Sequence, residues 1–121
     1  MDITINETTY PLRFGLKFLR EANRAVSKED ELGVKQNVGL RYLIGGILDG
    51  DIEDLETCIL LANKTEEPKL PQSVLDDFIE NPDTDIDWLF GEIKDFLSRA
   101  NVTKITFKEM VKLLALAEES L

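Results

Sequence analysis

The fold is decided where the chain reads Tyr10-Pro11-Leu12-Arg13-Phe14-Gly15-Leu16-Lys17-Phe18-Leu19-Arg20-Glu21-Ala22-Asn23. Before Gly15, polar and apolar residues alternate, as on a half-buried β-strand. After Gly15, apolar residues recur with the 3.6-residue period of an amphipathic helix. We therefore expect a strand that ends near Phe14, followed by a helix from Leu16 to Val26.

The residues before this stretch predict a hairpin. Residues 2–5 and 9–14 alternate on either side of the polar turn Asn6-Glu7-Thr8, a pattern typical of two antiparallel strands. Pro11 has no N–H group, so we expect it at an unpaired edge position. A lone hairpin is marginally stable in water, so it must dock on the helices that follow.

The next segment predicts a polar loop and a buried helix. Residues 27–31 are all polar. From Val34 to Leu48, apolar residues cover most of the helical circumference, which indicates a central helix. This predicted helix contains Gly39, Gly45 and Gly46, which are expected where another backbone approaches closely. Gly50 is the expected left-handed cap.

Four further helices are predicted from their boundaries. Asp51 is an N-cap candidate for Ile52 to Asn63, and Pro71 opens a short helix that ends near Asn81. Two patterns resembling capping boxes precede the last two helices: these are Thr84 with Asp87, for a helix to about Ala100, and Thr106 with Glu109, for a helix to the C-terminus. The prediction is a mainly α, single-domain chain (1–121), with a small β-hairpin at 1–14 and five or six packed helices within 15–121.

Charge and composition exclude several function classes. The net charge is −10, and residues 49–121 hold eighteen acidic and seven basic side chains. This balance argues against a nucleic-acid partner, which needs clustered Lys and Arg, and against an anionic membrane surface. The longest apolar run, Val38 to Leu48, is too short to span a bilayer. The N-terminus lacks the basic start and apolar run of a secretory signal.

The side chains available for catalysis are few. The chain has no histidine and a single cysteine, Cys58, so histidine-dependent nucleophile arrangements and an ordinary structural zinc site are excluded. Cys58 lies in an apolar run and is expected to be a buried, reduced thiol. Alternate acids at 49–53 and 83–87 fail the EF-hand pattern and are expected to cap helices. We expect no catalytic, cofactor or metal site and therefore no enzyme.

Three surfaces are candidates for partner binding. Lys17, Arg20 and Arg24 form a basic stripe, which is either a contact site or a solvated face paired with the acidic half of the chain. Trp88 lies off the apolar face of the fifth helix. It either packs under another helix or the Asn81-Pro82 turn, which is the more frequent outcome for tryptophan, or marks a contact site.

The sixth helix has a wide apolar arc. Leu113 and Leu116 lie outside the face formed by the other apolar residues, which are Phe107, Met110, Val111, Leu114, Ala117 and Leu121. Either this helix is sandwiched in the core, or it offers a second face to another subunit. The two interpretations remain open at this point.

The order of segments resembles a known family. An opening Ile3-Thr4-Ile5-Asn6, the stretch Tyr10 to Asn23, and the apolar helix that ends Leu48-Asp49-Gly50-Asp51 resemble the tail assembly chaperones of long-tailed phages and prophages of Gram-positive bacteria. The acidic helix Ile86 to Leu97 also fits. The resemblance spans nearly the whole chain, and its most specific part is Phe14 to Asn23.

The resemblance implies a non-enzymatic role in the cytoplasm of the bacterial host. Such chaperones bind the tape measure protein, keep it soluble, and are displaced as tail tube subunits polymerise, so they are absent from the mature virion. In many such phages a longer, frameshifted form recruits the tail tube protein. Self-association is expected as well. The alternatives from other classes are a small acidic regulatory or inhibitor module, supported by the acidic half alone, and a structural tail component.

Overall fold

A computed structural model of the chain describes residues 1–25, 27–29 and 35–119, with side chains at 1–25 and 38–119. Within these residues the chain forms two small hairpins and six helices, which confirms the mainly α fold class. Val26, Val34 and Leu121, which the sequence assigns to helices, lie outside the described residues. In chain order the elements are β1 (Asp2–Ile5), β2 (Thr8–Pro11), α1 (Leu16–Ala25), β3 (Ser27–Glu29), β4 (Lys35–Asn37), α2 (Gly39–Leu48), α3 (Ile52–Asn63), α4 (Gln72–Glu80), α5 (Ile86–Arg99) and α6 (Lys104–Glu119).

The N-terminal hairpin is confirmed, but its second strand ends at Pro11 and not near Phe14 as expected. Strands β1 and β2 pair antiparallel, with Ile3 opposite Tyr10. Asn6 and Glu7 join them with φ angles of 50° and 68°, as in the two-residue turns that match strand twist. Ile3 and Tyr10 are buried against the helices. Pro11 ends β2, and its carbonyl accepts a hydrogen bond of 3.0 Å from the buried side chain of Asn63, which ties the hairpin to α3.

Helices α1 and α2 touch through their backbones. Phe18 and Ala22 are the buried residues of α1. A Cβ atom at Gly39 would overlap the carbonyl oxygen of Ala22, so only glycine permits this separation of the two helices. Asn23 Oδ1 accepts a hydrogen bond of 3.1 Å from the backbone N–H of Leu40. The predicted close approach is therefore confirmed at Gly39.

The segment between α1 and α2 differs from the prediction. The expected polar loop contains β3, and the expected start of the second helix contains β4, with Lys28 opposite Gln36 in an antiparallel pair. Helix α2 begins only at Gly39. Asn37, Val38 and Gly39 are weak helix formers. The backbone groups of residues 35–37 pair with β3 instead of forming the first turn of a helix.

The connection from α2 to α3 follows the sequence closely. Gly50 has a φ of 80°, and its N–H donates to Ile47 O while Asp51 N–H donates to Gly46 O, which is the Schellman pattern. The Asp51 carboxylate then accepts from Asp54 N–H at 3.0 Å and caps α3. Both predicted caps are confirmed.

The predicted caps of α5 and α6 are wrong by one to three residues. Asp85, not Thr84, accepts from the backbone of α5, at Trp88 N–H. Thr84 instead donates to Phe78 O at 2.6 Å. Helix α6 begins at Lys104, so Thr106 is inside it. The buried Thr103 precedes the helix and donates to Leu97 O at 2.7 Å, which joins the start of α6 to the end of α5.

Thr103→Val should therefore be much more damaging than Thr106→Val. Removing the buried hydroxyl leaves Leu97 O without its partner and should lower the free energy of unfolding by about 1–3 kcal/mol. Thr106 is the third residue of α6, and Thr106→Val should change the free energy of unfolding by no more than about 0.5 kcal/mol. Urea unfolding of both variants checks this. Equal losses would support the sequence-predicted cap at Thr106 instead.

The core lies between the hairpin and the helices. Its completely buried side chains come from α2, α3, α4 and α5, among them Ile44, Leu55, Leu75 and Leu89. Helix α2 contacts α1, α3, α5 and α6, which confirms its central position. Burial raises the pKa of the Cys58 thiol, so this cysteine is an apolar packing group, as expected.

Two carboxyl groups meet between α3 and α4. A hydrogen bond with Asp76, together with partial burial, raises the pKa of Glu56. The folded state thus holds a proton on Glu56 more tightly than the unfolded chain does. The protonated Glu56 side chain therefore favours the folded state at a pH below the pKa of Glu56 in the unfolded chain. This contribution to the free energy of unfolding is lost as the pH rises through the pKa of Glu56 in the folded protein.

Glu56→Gln should stabilise the protein at pH 7 by about 0.5 kcal/mol, because the neutral amide removes the repulsion from Asp76. The side-chain oxygen of Gln can still accept the 3.1 Å hydrogen bond from Gln72. The gain should vanish as the pH falls to where wild-type Glu56 is protonated. Thermal unfolding from pH 7 to pH 4 checks this, with the exposed Glu80→Gln as control. A gain that does not depend on pH would contradict it.

Candidate partner-binding surfaces

The C-terminal half of α6 is apolar and exposed. From Met110 to Ala117 every residue except Lys112 is apolar, and residues 111–119 are all exposed. A helix that is apolar around its circumference is normally buried. We call residues 110–117 the α6 apolar segment.

The first turns of α6 anchor this segment. Phe107 and Met110 pack against the hydrophobic core, and Arg41 of α2 forms an ion pair of 3.0 Å with Glu109. The helix continues past these anchors for about two and a half turns, at 3.6 residues per turn, up to Glu119. The position of the apolar segment is thus fixed at one end.

A groove lies on each side of the anchored part of α6. One has a volume of about 560 Å³ and is lined by Phe107 and Val111 together with three lysines: Lys104, Lys108 and Lys112. The other, of about 600 Å³, lies between α6 and α2. Its apolar lining is Val38, Tyr42, Met110, Leu113 and Leu114. The α6 apolar segment therefore borders both grooves, through Val111 on one side and through Met110, Leu113 and Leu114 on the other.

The two sequence interpretations of the sixth helix are now distinguishable. Leu113 is 49% exposed and Leu116 is 60% exposed, so a helix sandwiched in the core is wrong for the described part of α6. The expected apolar face is also only half buried, since Val111, Leu114 and Ala117 are exposed. Sequence reasoning missed Ile105, whose side chain is exposed beside the lysine-lined groove.

The three residues of the basic stripe on α1 do not lie in one cluster. Lys17 and Arg20 line a cavity of about 460 Å³ together with Arg13, which precedes the helix and so does not belong to the helical stripe. Among the residues with described side chains, none of these three cations forms an ion pair with a carboxylate. We call Arg13, Lys17 and Arg20 the basic pocket.

Arg24 belongs to a different cluster. It pairs with Glu21 of its own helix at 2.9 Å, and Lys64 of the following acidic half pairs with the same carboxylate at 2.8 Å. The hydrogen bond from Lys64, with the charge of Arg24, lowers the pKa of Glu21. Arg24 is thus on a solvated face, as one of the two alternatives had it, but its ion pair is with its own helix and not with the acidic half of the chain.

Trp88 lies on the surface. Its side chain is 54% exposed, so the prediction that it packs beneath another helix or the Asn81-Pro82 turn is wrong. It adjoins a shallow cavity lined by the hairpin turn and by the turn before α5. Around it, Asp83, Asp85 and Asp87 are all exposed. We call these three acids the acidic turn.

Two of the alternate acids cap helices as expected, namely Asp51 and Asp85. Within the described residues, no three Asp, Glu or Cys side chains are grouped so that they could hold a metal ion. In that same part of the chain, no helix is both long and apolar enough to cross a bilayer. What the arrangement offers chemically is binding through an exposed apolar helix and through separate charged patches.

Comparison with known protein families gives a match over most of the chain. A family described as "Phage tail assembly chaperone protein, TAC" matches residues 2–112. This range includes both hairpins, α1 to α5 and the anchored part of α6. No curated protein and no solved structure matches the chain at a significant level.

Proposed function

The chain belongs to the phage tail assembly chaperone family, and from that membership we propose that it binds the tape measure protein, keeps it soluble and is displaced as tail tube subunits polymerise. The observation that carries the proposal is the α6 apolar segment, whose residues 111–117 are exposed. A long helical protein that exposes apolar faces tends to aggregate before its partners arrive. A second apolar helix can cover such a face.

The charge of the chain supports a solubilising role. Its net charge is −10, so a complex coated with many copies is kept dispersed by mutual repulsion. Many weak contacts along one long target give a high total affinity. Each contact can still be broken singly, which suits stepwise displacement by tube subunits.

The working surface in this proposal is the α6 apolar segment with its two grooves, and Leu113 and Leu116 are its central contacts. Binding by such a surface requires no catalytic group and no cofactor. We place this activity in the cytoplasm of the bacterial host and expect the protein to be absent from mature virions. A longer, frameshifted form would recruit the tail tube protein.

Co-expression with a cognate tape measure protein tests the proposal. We expect the tape measure protein to move from the insoluble to the soluble fraction and to co-purify with this chain. Unchanged solubility together with no co-purification would overturn the proposal. Recovery of the chain from purified virions would favour a structural tail component instead.

A further inference from the structure

Three lysines make one side of α6 basic on a strongly acidic protein. Lys104, Lys108 and Lys112 follow one another at intervals of four residues, so they lie along one side of the helix, about 6 Å apart at 1.5 Å per residue. All three are exposed, although the chain as a whole has a net charge of −10. Among the residues with described side chains, none of these lysines forms an ion pair with a carboxylate. Their charges are therefore available to another molecule.

The lysines border the groove of about 560 Å³ beside α6, which we call the lysine groove. Phe107 and Val111, one turn apart, contribute apolar surface to its lining. Ile105 lies in the same lining and is 68% exposed. Of the described residues that line this groove, none is acidic. The groove thus combines an apolar surface with a positively charged border.

The groove on the other side of α6 has the opposite charge. Asp49 and Asp54 are among the residues that line it, and Arg41 in the same lining is already paired with Glu109 at 3.0 Å. Helix α6 therefore lies between a positively charged groove and a negatively charged one. A partner that covers the α6 apolar segment meets a different sign of charge at each of its two edges.

The apolar lining favours a helical partner over an extended one. An extended segment laid on apolar side chains leaves backbone N–H and C=O groups without hydrogen-bond partners, which is costly, whereas a helix satisfies these groups itself. Side chains four residues apart on a partner helix repeat at the same interval of about 6 Å as the lysines. Asp or Glu at that spacing can each face one lysine, as oppositely charged residues do along the borders of the apolar seam in paired helices.

We propose that the lysine groove recognises an amphipathic helix of the tape measure protein whose apolar stripe is bordered on one edge by Asp or Glu side chains one turn apart. Because the partner is taken from the proposed function, the proposal rests on it and adds the charge pattern of the bound segment. The apolar stripe covers Ile105 and the α6 apolar segment, and the acidic edge faces the three lysines. Reversing the direction of the partner helix would swap its edges and bring its acids against Asp49 and Asp54, so the charges also select the direction in which it binds.

Lys108→Gln/Lys112→Gln tests the groove on the side of this chain. Glutamine is about as good a helix former as lysine, so α6 should stay folded, which circular dichroism verifies. Ser73→Glu/Gly91→Glu is the matched control, because it makes the same change in net charge on α4 and α5, outside the groove.

Two model peptides test the chemistry of the partner. Both are amphipathic helices of about 21 residues with leucine at the a and d heptad positions, and they differ only in carrying glutamate or lysine along one edge. By fluorescence anisotropy at about 0.05 M salt, the wild type should bind the glutamate peptide at least about tenfold more tightly than the lysine peptide. The net charge of the chain alone favours the opposite order. Lys108→Gln/Lys112→Gln should bind the glutamate peptide about fivefold more weakly, and the control variant should keep the wild-type preference.

Several results would overturn the inference. They include equal binding of the two peptides by the wild type, a preference for the lysine peptide, and no binding of either. A preference reduced equally in both protein variants would attribute it to net charge and would also count against the groove. Loss of self-association in Lys108→Gln/Lys112→Gln, with unchanged binding of the glutamate peptide, would assign the groove to a second copy of the chain instead.

The cognate tape measure protein separates this inference from the proposed function. If the wild type leaves the tape measure protein insoluble, the proposed function fails. If the wild type keeps it soluble and both variants bind it equally well, only the inference fails. We expect Lys108→Gln/Lys112→Gln to bind it about fivefold more weakly than the control variant does.

Discussion

Gly39→Ala should unfold much of the protein at 37 °C, with a loss of about 3 kcal/mol in the free energy of unfolding. The added methyl group would overlap the carbonyl oxygen and carbon of Ala22. These are backbone atoms, so no side-chain rotation relieves the clash, and overpacking of this kind costs about 1–3 kcal/mol or more. Separating α1 from α2 would also break the hydrogen bond from Leu40 N–H to Asn23.

Gly91→Ala is the matched control. Gly91 is exposed in the interior of α5, and a methyl group there would have no atom within 4 Å beyond the neighbouring helix backbone. The change should raise stability by about 0.5–1 kcal/mol, since alanine is the better helix former. Thermal unfolding of both variants provides the measurement. A Gly39→Ala variant as stable as the wild type would show that α1 and α2 do not touch as described.

Leu113→Glu/Leu116→Glu should weaken binding to the tape measure protein by about 30-fold or more without unfolding the chaperone. Each leucine has about half its side chain exposed, and burying that part on binding is worth about 1 kcal/mol per residue. A carboxylate in the same place would have to be desolvated, which adds to the loss. Because neither residue belongs to the core, stability should change by no more than about 0.5 kcal/mol.

A variant with the same added charge controls for repulsion. Ser73→Glu/Gly91→Glu places two carboxylates on exposed positions of α4 and α5, away from α6. We expect this variant to bind as the wild type does, with affinities measured by calorimetry or by pull-down titration. If both variants bind the tape measure protein equally weakly, the added negative charge explains the loss of affinity and no contact by Leu113 and Leu116 is needed.

Several elements were predicted accurately because residues typical of a helix or strand boundary occur at both of their ends. Helix α3 runs from Ile52 to Asn63, as expected from the Asp51 cap and the polar loop after it. The hairpin follows from alternation around a polar turn. The phage chaperone family itself was identified from the strand-to-helix stretch at Tyr10 to Asn23 and agrees with the family match over residues 2–112.

Other features depend on tertiary contacts and could not be predicted. Thr84 and Thr103 resemble ordinary polar residues near helix starts, yet each donates to a carbonyl of a preceding helix. Asn63 is buried at the end of α3, where it bonds Pro11, Pro68 and Leu70. No periodicity marks such a residue, because one partner, Pro11, lies 52 residues away and the other two lie in the loop after α3.

The candidate surfaces were predicted in part. The width of the apolar arc on α6 identified Leu113 and Leu116, but it could not decide between a buried and an exposed helix, since both have the same sequence pattern. Arg13 joins Lys17 and Arg20 only because the turn at Gly15 brings them to one cavity. Arg24, which is on the same helix, lies with Glu21 instead.

Hydrogen exchange of the backbone amides measures whether α6 contacts the tape measure protein. Exchange of the chain alone should be compared with exchange of the chain in complex with a cognate tape measure protein. We expect slower exchange across residues 105–119 in the complex, because exposed helical turns become covered and open less often. Unchanged exchange in α6, with protection confined to other segments such as the acidic turn, would show that the tape measure protein binds elsewhere on the chain.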